Sequence, residues 1–171
     1  GSRLVGSEMC IRDRPGTVKN WLENYLIKNL DNGQYQINYP FDTKFFESIE
    51  RIEIIACGTS KHAAMVGSFL LEQFSGIPTN VFYASEFRYS PPPLLPNTLT
   101  IGVTQSGETA DTIAAIDMEI KRRSSIKDKN FKPNLIAITN RKESSIGRQV
   151  SNIIDICAGI EVGVAATKTF F

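Results

Sequence analysis

Residues 99–112 read LTIGVTQSGETADT, an apolar run that passes directly into Thr104-Gln105-Ser106-Gly107-Glu108-Thr109. A short apolar run bounded by glycine and small polar residues has the length and punctuation of a buried strand. The residues from Glu108 to about Arg123 then follow helical spacing. Strand, hydroxyl-rich turn and helix together make one unit of an α/β fold. The same unit stands upstream, where an apolar run over 52–56 ends in Cys57-Gly58-Thr59-Ser60. A helix over 61–75 follows it, with Ala64, Met65, Gly67, Ser68, Leu71 and Phe74 on or near one face and Gly76 ending it. Further strands are expected over 80–83, 134–138 and 152–156. Pro91-Pro92-Pro93 forces an extended loop, and a shorter helix falls around 143–150. Short apolar runs alternating with helices imply parallel βαβ units with right-handed crossovers. The expected fold is an α/β three-layer sandwich built on a five-stranded, parallel, doubly wound sheet.

Outside this core the signals weaken. Val18, Trp21, Leu22, Tyr25, Leu26 and Leu30 recur at helical spacing, so a helix is expected over 18–30, closed by Asp31-Asn32-Gly33. Phe41, Phe45, Phe46 and Ile49 predict a short helix with Asp42 as its N-cap. Residues 1–14 carry no periodicity, and RLVGSEMCIRDR resembles a translated sequencing-adapter peptide. The expected organisation is therefore a non-native segment over 1–14, a helical lead-in over 15–50 and the α/β domain over 51–171. The chain stops at Thr169-Phe170-Phe171 without a cap or polar tail, so a truncated domain with exposed apolar surface is expected.

Composition narrows the function. The 171 residues suit one domain, and 42% apolar with 22% charged residues is the balance of a globular protein. A net charge of +1 offers no electrostatic footprint for nucleic acid or an anionic membrane, and Lys121-Arg122-Arg123 reads as a solvated helix end. Cys10, Cys57 and Cys157 have neither CxxC spacing nor a paired framework, and with one histidine a zinc site is not expected. Free thiols without a secretory signal point to the cytoplasm. No apolar run reaches the length of a membrane span. Neither GxGxxG nor GxxxxGK[ST] is present, so no cofactor is expected from those motifs.

In a doubly wound sheet, ligands lie beyond the carboxyl ends of the strands where strand order reverses. Both hydroxyl-rich turns fall at such ends. Free amides and the positive end of the helix dipole favour an anion there, and hydroxyls can turn onto phosphate oxygens. Serine and threonine are also ordinary helix N-caps, so phosphate binding and simple capping both remain open at this point.

Four segments in order, ACGTS, ASEFRY, TQSGETADT and EVGVAATKTF, resemble the first sugar isomerase (SIS) domain of the isomerising glutamine–fructose-6-phosphate aminotransferase family. The resemblance covers about residues 51–171. It implies that Cys57, Gly58, Thr59 and Ser60 contact a sugar phosphate, Thr59 toward sugar oxygens. Thr104, Ser106 and Thr109 would hold phosphate oxygens, Gln105 would face the sugar, and Val164 would offer backbone contact. Thr104 stands where the family usually has serine, and no role is assigned to Ala166. No catalytic residue is implied within this chain, nor any metal. The Schiff-base lysine of the family lies in a C-terminal tail beyond a second SIS domain, and the ammonia comes from an N-terminal glutaminase domain. The implied partners are a sugar phosphate (fructose 6-phosphate or glucosamine 6-phosphate), those two domains, and further copies in a homo-oligomer. Lys168 is not the family's catalytic lysine, and His62 and Cys57 read as packing or surface residues. Glu108 reads equally as a helix-dipole partner or as a group that orients a sugar hydroxyl or acts as a base. Glu86 and Arg88 read as a structural pair at a domain or subunit interface, and Glu161 could reach an interface, with its role open. The rival readings are another SIS-type sugar-phosphate isomerase or deglycase, and a phosphosugar-sensing regulatory domain.

Overall fold

A computed structural model describes residues 8–161 and 166–170. Its centre is a sheet of five parallel strands: β3 (Arg51–Ala56), β4 (Thr79–Tyr83), β5 (Thr98–Thr104), β6 (Asn134–Thr139) and β7 (Ile153–Asp155). Their order is β4-β3-β5-β6-β7. The strand positions agree with the apolar runs, because a parallel sheet covered on both faces needs near-continuous hydrophobic strands.

Helix α2 (Gly58–Ser75) covers one face. There Ile52, Ile54, Leu99, Ile101 and Ile136 pack with Ala64 and Leu71. Helices α3 (Ala84–Phe87), α4 (Ala110–Ser124) and α5 (Ser145–Gln149) cover the other. On that side Ile55, Phe87, Ala115, Ile116 and Ile146 form a second cluster. The three layers follow from β3, whose alternate isoleucines serve opposite faces.

Strand β5 is unlike its neighbours on the α4 side. Thr98, Thr100, Gly102 and Thr104 alternate toward it, all buried. A Cβ on Gly102 would lie 2.9 Å from Ile146 Cδ1 and 3.2 Å from Ile116, so glycine there lets two helices approach the sheet.

Two local expectations need correction. Helix α2 begins at Gly58, one turn earlier than the spacing implied, and Met65 and Phe74 point outward, Phe74 at 82% exposure. The core face is Ala64, Gly67, Ser68 and Leu71. The helix expected over 18–30 is α1 (Arg14–Tyr25), with Pro15 in its first turn, where a missing amide costs nothing. Beyond it, β1 (Leu26–Lys28) pairs antiparallel with β2 (Tyr35–Ile37). Asp31-Asn32-Gly33 is thus a hairpin turn rather than a helix end, with Gly33 at φ +70 and its amide donating to the Asn29 carbonyl. Leu30, counted into the helical face, is 93% exposed at the tip. ASEF, for which the spacing predicted no element, forms the short helix α3, and Phe87 is driven into the core at 1% exposure.

The lead-in is tied to the sheet at its far edge. Trp21 stacks on Tyr25, and the Tyr25 hydroxyl accepts the Asp155 amide at 2.8 Å. Between α1, α2 and the sheet lies an apolar cavity of about 430 Å³, reached by Trp21, Leu71, Ile101, Val103 and Ile154. Near it, Cys10 is buried, and Asp13 pairs with the buried Lys168 at 3.2 Å. At the base of the sheet, Glu53, Glu119 and Arg123 are all buried, Arg123 at 1%. Arg123 Nε donates to Glu119 at 2.6 Å and Arg123 Nη1 to the Leu95 carbonyl at 3.1 Å. Glu53 lies 4.0 Å from Arg123 Nη2. Burial and then the neighbouring Glu119 push the Glu53 carboxyl above the usual carboxylate range. No helix among the described residues is long and apolar enough to cross a membrane.

Candidate functional site

The chain runs from β3 through α2 to β4 on one side, then returns across β3 to β5 on the other. Strand order therefore reverses between β3 and β5. Ala56 pairs in register with Val103, so the turns 57–60 and 104–109 leave the sheet side by side. Helices α2 and α4 depart from these turns to opposite faces, and both aim their amino ends at the crevice. The predicted residues are thereby brought together, apart from Val164, which lies outside the described residues.

The first turn is open. Cys57 is the N-cap of α2 in an extended conformation and makes no side-chain cap bond. Gly58 takes φ +54, and a Cβ there would meet nothing within 4 Å. Thr59 and Ser60 are half-buried. His62 is exposed on the helix surface, as read from the sequence.

The second turn is braced. The Thr104 and Thr109 hydroxyls bond to each other at 2.9 Å, and Thr104 is 2% exposed. Ser106 Oγ accepts the Glu108 amide at 3.1 Å. Helix α4 starts after Thr109, which also makes no side-chain cap bond to it. Capping is thus not what the Cys57 and Thr109 side chains do here. At the first turn of α4, Thr112 Oγ1 is fully buried and has no hydrogen-bond partner.

A third segment supports the turn, and the sequence reading missed it. Thr104 pairs with Thr139 at the end of β6. The Asn140 amide donates to the Gln105 carbonyl at 3.2 Å, and the Ile146 amide to the Gly107 carbonyl at 3.1 Å. Gly107 has φ +70, and a Cβ on it would fall 1.9 Å from Ser144 Oγ. Glu108 Oε1 accepts the Ser145 amide at 2.8 Å. The Ser145 hydroxyl and amide hold the Glu108 carboxyl below the usual glutamate range, with Arg148 and Arg141 adding to the effect. Glu108 is therefore a charged clasp between the turn and α5. The signal was present in AITNRKES, another apolar run ending in small polar residues.

Two further residues acquire places. Arg88 Nη1 reaches Asp111 Oδ1 at 2.6 Å, so the pair it makes is with the first turn of α4 rather than with Glu86. Glu161 accepts from the Thr167, Lys168 and Thr169 amides and from the Thr167 and Thr169 hydroxyls. Burial alone would raise its carboxyl, but these donors outweigh it and hold it low.

The SIS domain family profile matches residues 45–171. The glutamine–fructose-6-phosphate aminotransferase (isomerising) of Thermosynechococcus vestitus is 57% identical over 164 residues, covering 94% of this chain and 26% of that protein. The enzyme of the same name from Synechocystis is 51% identical over the same shares. The chain thus spans about a quarter of these relatives' length. Among solved structures, the C-terminal domain of glucosamine-fructose-6-phosphate aminotransferase from Francisella tularensis superposes with a TM-score of 0.80 at 30% identity, over 96% of this chain and 43% of that one. A Thermotoga maritima glucosamine-6-phosphate deaminase shares the fold, with a TM-score of 0.70 at 20% identity over 96% of this chain and 44% of that one. With the profile spanning most of its length and the sheet, switch point and turns in place, this chain belongs to the SIS domain family.

Proposed function

We propose that this chain is the phosphosugar-binding SIS domain of an isomerising glutamine–fructose-6-phosphate aminotransferase, an enzyme that makes glucosamine 6-phosphate. The observation that carries the reading is the placement of two hydroxyl-rich turns side by side at the reversal of strand order, each opening a helix of more than ten residues. The phosphate sits on the amino end of α4, held by its free amides and by Ser106 and Thr109, which turn outward on ligand binding. Thr104 is buried, so it acts by orienting Thr109 and does not touch the ligand itself. Cys57, Gly58, Thr59 and Ser60 offer the opposite wall, with backbone close approach at Gly58 and the Thr59 hydroxyl toward the sugar. Gln105 faces the sugar ring, and Val164 supplies a backbone contact.

The chain holds the sugar and performs no bond chemistry alone. In this reading the proton shift and amine transfer belong to a second SIS domain and tail, the ammonia to a glutaminase domain, and the whole works as a homo-oligomer in the cytoplasm. The test is calorimetric titration of the chain with fructose 6-phosphate, with fructose as control and Ser106→Ala as a second protein. Saturable binding of the phosphosugar, absent with fructose and weakened roughly tenfold by Ser106→Ala, is expected for loss of one charge-assisted hydrogen bond. A folded chain that ignores both sugars would overturn the reading. So would glucosamine 6-phosphate formation by this chain alone, for the division of labour.

A further inference from the structure

The amino end of α4 carries a negative charge of its own. Asp111 lies in the first helical turn, two residues past Thr109. A carboxylate there is ordinarily favourable, because it satisfies the positive end of the helix dipole. In a helix whose amino end is to receive a phosphate it is a competitor. It occupies the same dipole and repels the incoming dianion.

The structure meets this charge with an arginine from a different element. Arg88 caps the carboxyl end of α3, with its amide on the Ala84 carbonyl. Its position is fixed from beneath by Phe87, the most buried residue of that helix after Ala84, which packs in the cluster with Ala115 and Ile116 of α4. Its guanidinium lies 5.4 Å from the Tyr89 ring centroid and reaches Asp111 at 2.6 Å. Both side chains are over a third exposed, so the pair adds little to folding. Its weight falls on the local field.

We propose that Arg88 is a positioning residue for the anion-binding turn: by holding and neutralising the Asp111 carboxylate, it keeps the amino end of α4 receptive to phosphate. The inference rests on the phosphosugar reading above. It also gives the segment ASEFRY a task, since α3 carries the arginine across to a helix two elements later.

The experiment measures binding of fructose 6-phosphate and of inorganic phosphate by calorimetry, at low and moderate salt, in Arg88→Met, Arg88→Lys, Asp111→Asn and the Arg88→Met/Asp111→Asn double variant. Arg88→Met bares one carboxylate near the ligand and is expected to weaken binding of the phosphosugar about three- to tenfold, most at low salt. Arg88→Lys keeps the charge and is expected to bind like the parent. The double variant has lost the ion pair but regained neutrality, so binding returns to within about twofold of the parent. A structural tie, or a direct arginine–phosphate contact, would leave the double variant as weak as Arg88→Met, and either result overturns the proposal. If Arg88→Met does not fold, Asp111→Asn alone decides: tighter binding supports the proposal and weaker binding by a folded protein overturns it. Parent protein that binds neither probe defeats the phosphosugar reading and this inference with it. Parent binding with an indifferent folded Arg88→Met defeats the inference alone.

Discussion

Helix α4 touches two very different environments. At its carboxyl end, under the base of the sheet, Glu119 and Arg123 meet Glu53 in a sealed ionic cluster. At its amino end, over the strand tips, the side chains are small hydroxyls: Thr104, Ser106, Thr109 and Thr112. Both ends are polar, but they use polarity for opposite purposes. Charges at the base face one another away from solvent, with Arg122 also on Glu119 at 3.0 Å and Arg123 Nη2 left 4.0 Å from Glu53 without a hydrogen bond. Hydroxyls at the tip are held only lightly: Thr109 bonds Thr104, Ser106 accepts the Glu108 amide and Thr112 has no hydrogen-bond partner. Ser106 and Thr109 can therefore exchange theirs for a phosphate oxygen. Formal charge is buried at the base, whereas at the tip the charged pair Arg88–Asp111 and the Glu108 clasp stay at the surface beside the hydroxyls.

The sharpest way to break this contrast is at the base. Arg123→Met leaves Glu53 buried without its cation and Glu119 with Arg122 alone, and is expected to cost about 3 kcal/mol, a fall in Tm of roughly 10 °C. A folded Arg123→Met of unchanged Tm would show that the cluster is not what closes that end. Next in size, the two turns should answer differently to the same substitution. Gly107→Ala places a methyl against Ser144 at a positive φ and is expected to cost about 2–4 kcal/mol by thermal or chemical denaturation. Gly58→Ala meets open space and carries only the backbone cost, about 1 kcal/mol. Equal losses would mean that the open and braced turns are not distinct.

Smaller effects sharpen the tip itself. Thr104→Val keeps the shape but strips Thr109 of its partner, for an expected loss of about 1 kcal/mol and weaker phosphosugar binding in the same titration. The Glu108 clasp should be visible as a pH dependence. Its folded carboxyl is depressed, so its stabilisation is complete above the ordinary glutamate value of about 4.3 and is lost as pH falls through the lower folded value. Glu108→Gln is expected to flatten the fall of Tm with acid in that window. Glu53 runs the other way. Its carboxyl is raised, so what it contributes is complete below that ordinary value and fades as pH rises through the folded one. An identical acid slope in the parent and in Glu108→Gln would remove the clasp from the account.

The sheet was legible because each strand is a compact apolar run between small polar residues, a pattern that burial on both faces requires. The lead-in was not. Leu26 and Leu30 continue the spacing of α1, but Ile27, Tyr35 and Ile37 favour extended backbone and Asn32-Gly33 accepts a tight turn. Helical periodicity over a few turns cannot outweigh a hairpin that closes on itself. At the site, the two turns could be read locally, since glycine and hydroxyls sit together in the chain. The clasp could not, because Gly107 and Ser144 meet only after β6 has crossed back. Arg88 was read as a structural pair with Glu86, and no spacing could name Asp111, which only the packing of α3 on α4 supplies.

The bond from the Asp155 amide to the Tyr25 hydroxyl has a consequence for the edge of the sheet. Strand β7 is one rim of the sheet, and the Ile156 amide turns inward to Thr139, so the neighbouring Asp155 amide faces away. A parallel sheet grows by offering such outward amides to the next strand, whether its own or another molecule's. A phenol in that place ends the row without adding a strand. The lead-in helix thus takes one outward amide of the rim strand out of reach of another strand, and it does so through a single hydroxyl oxygen.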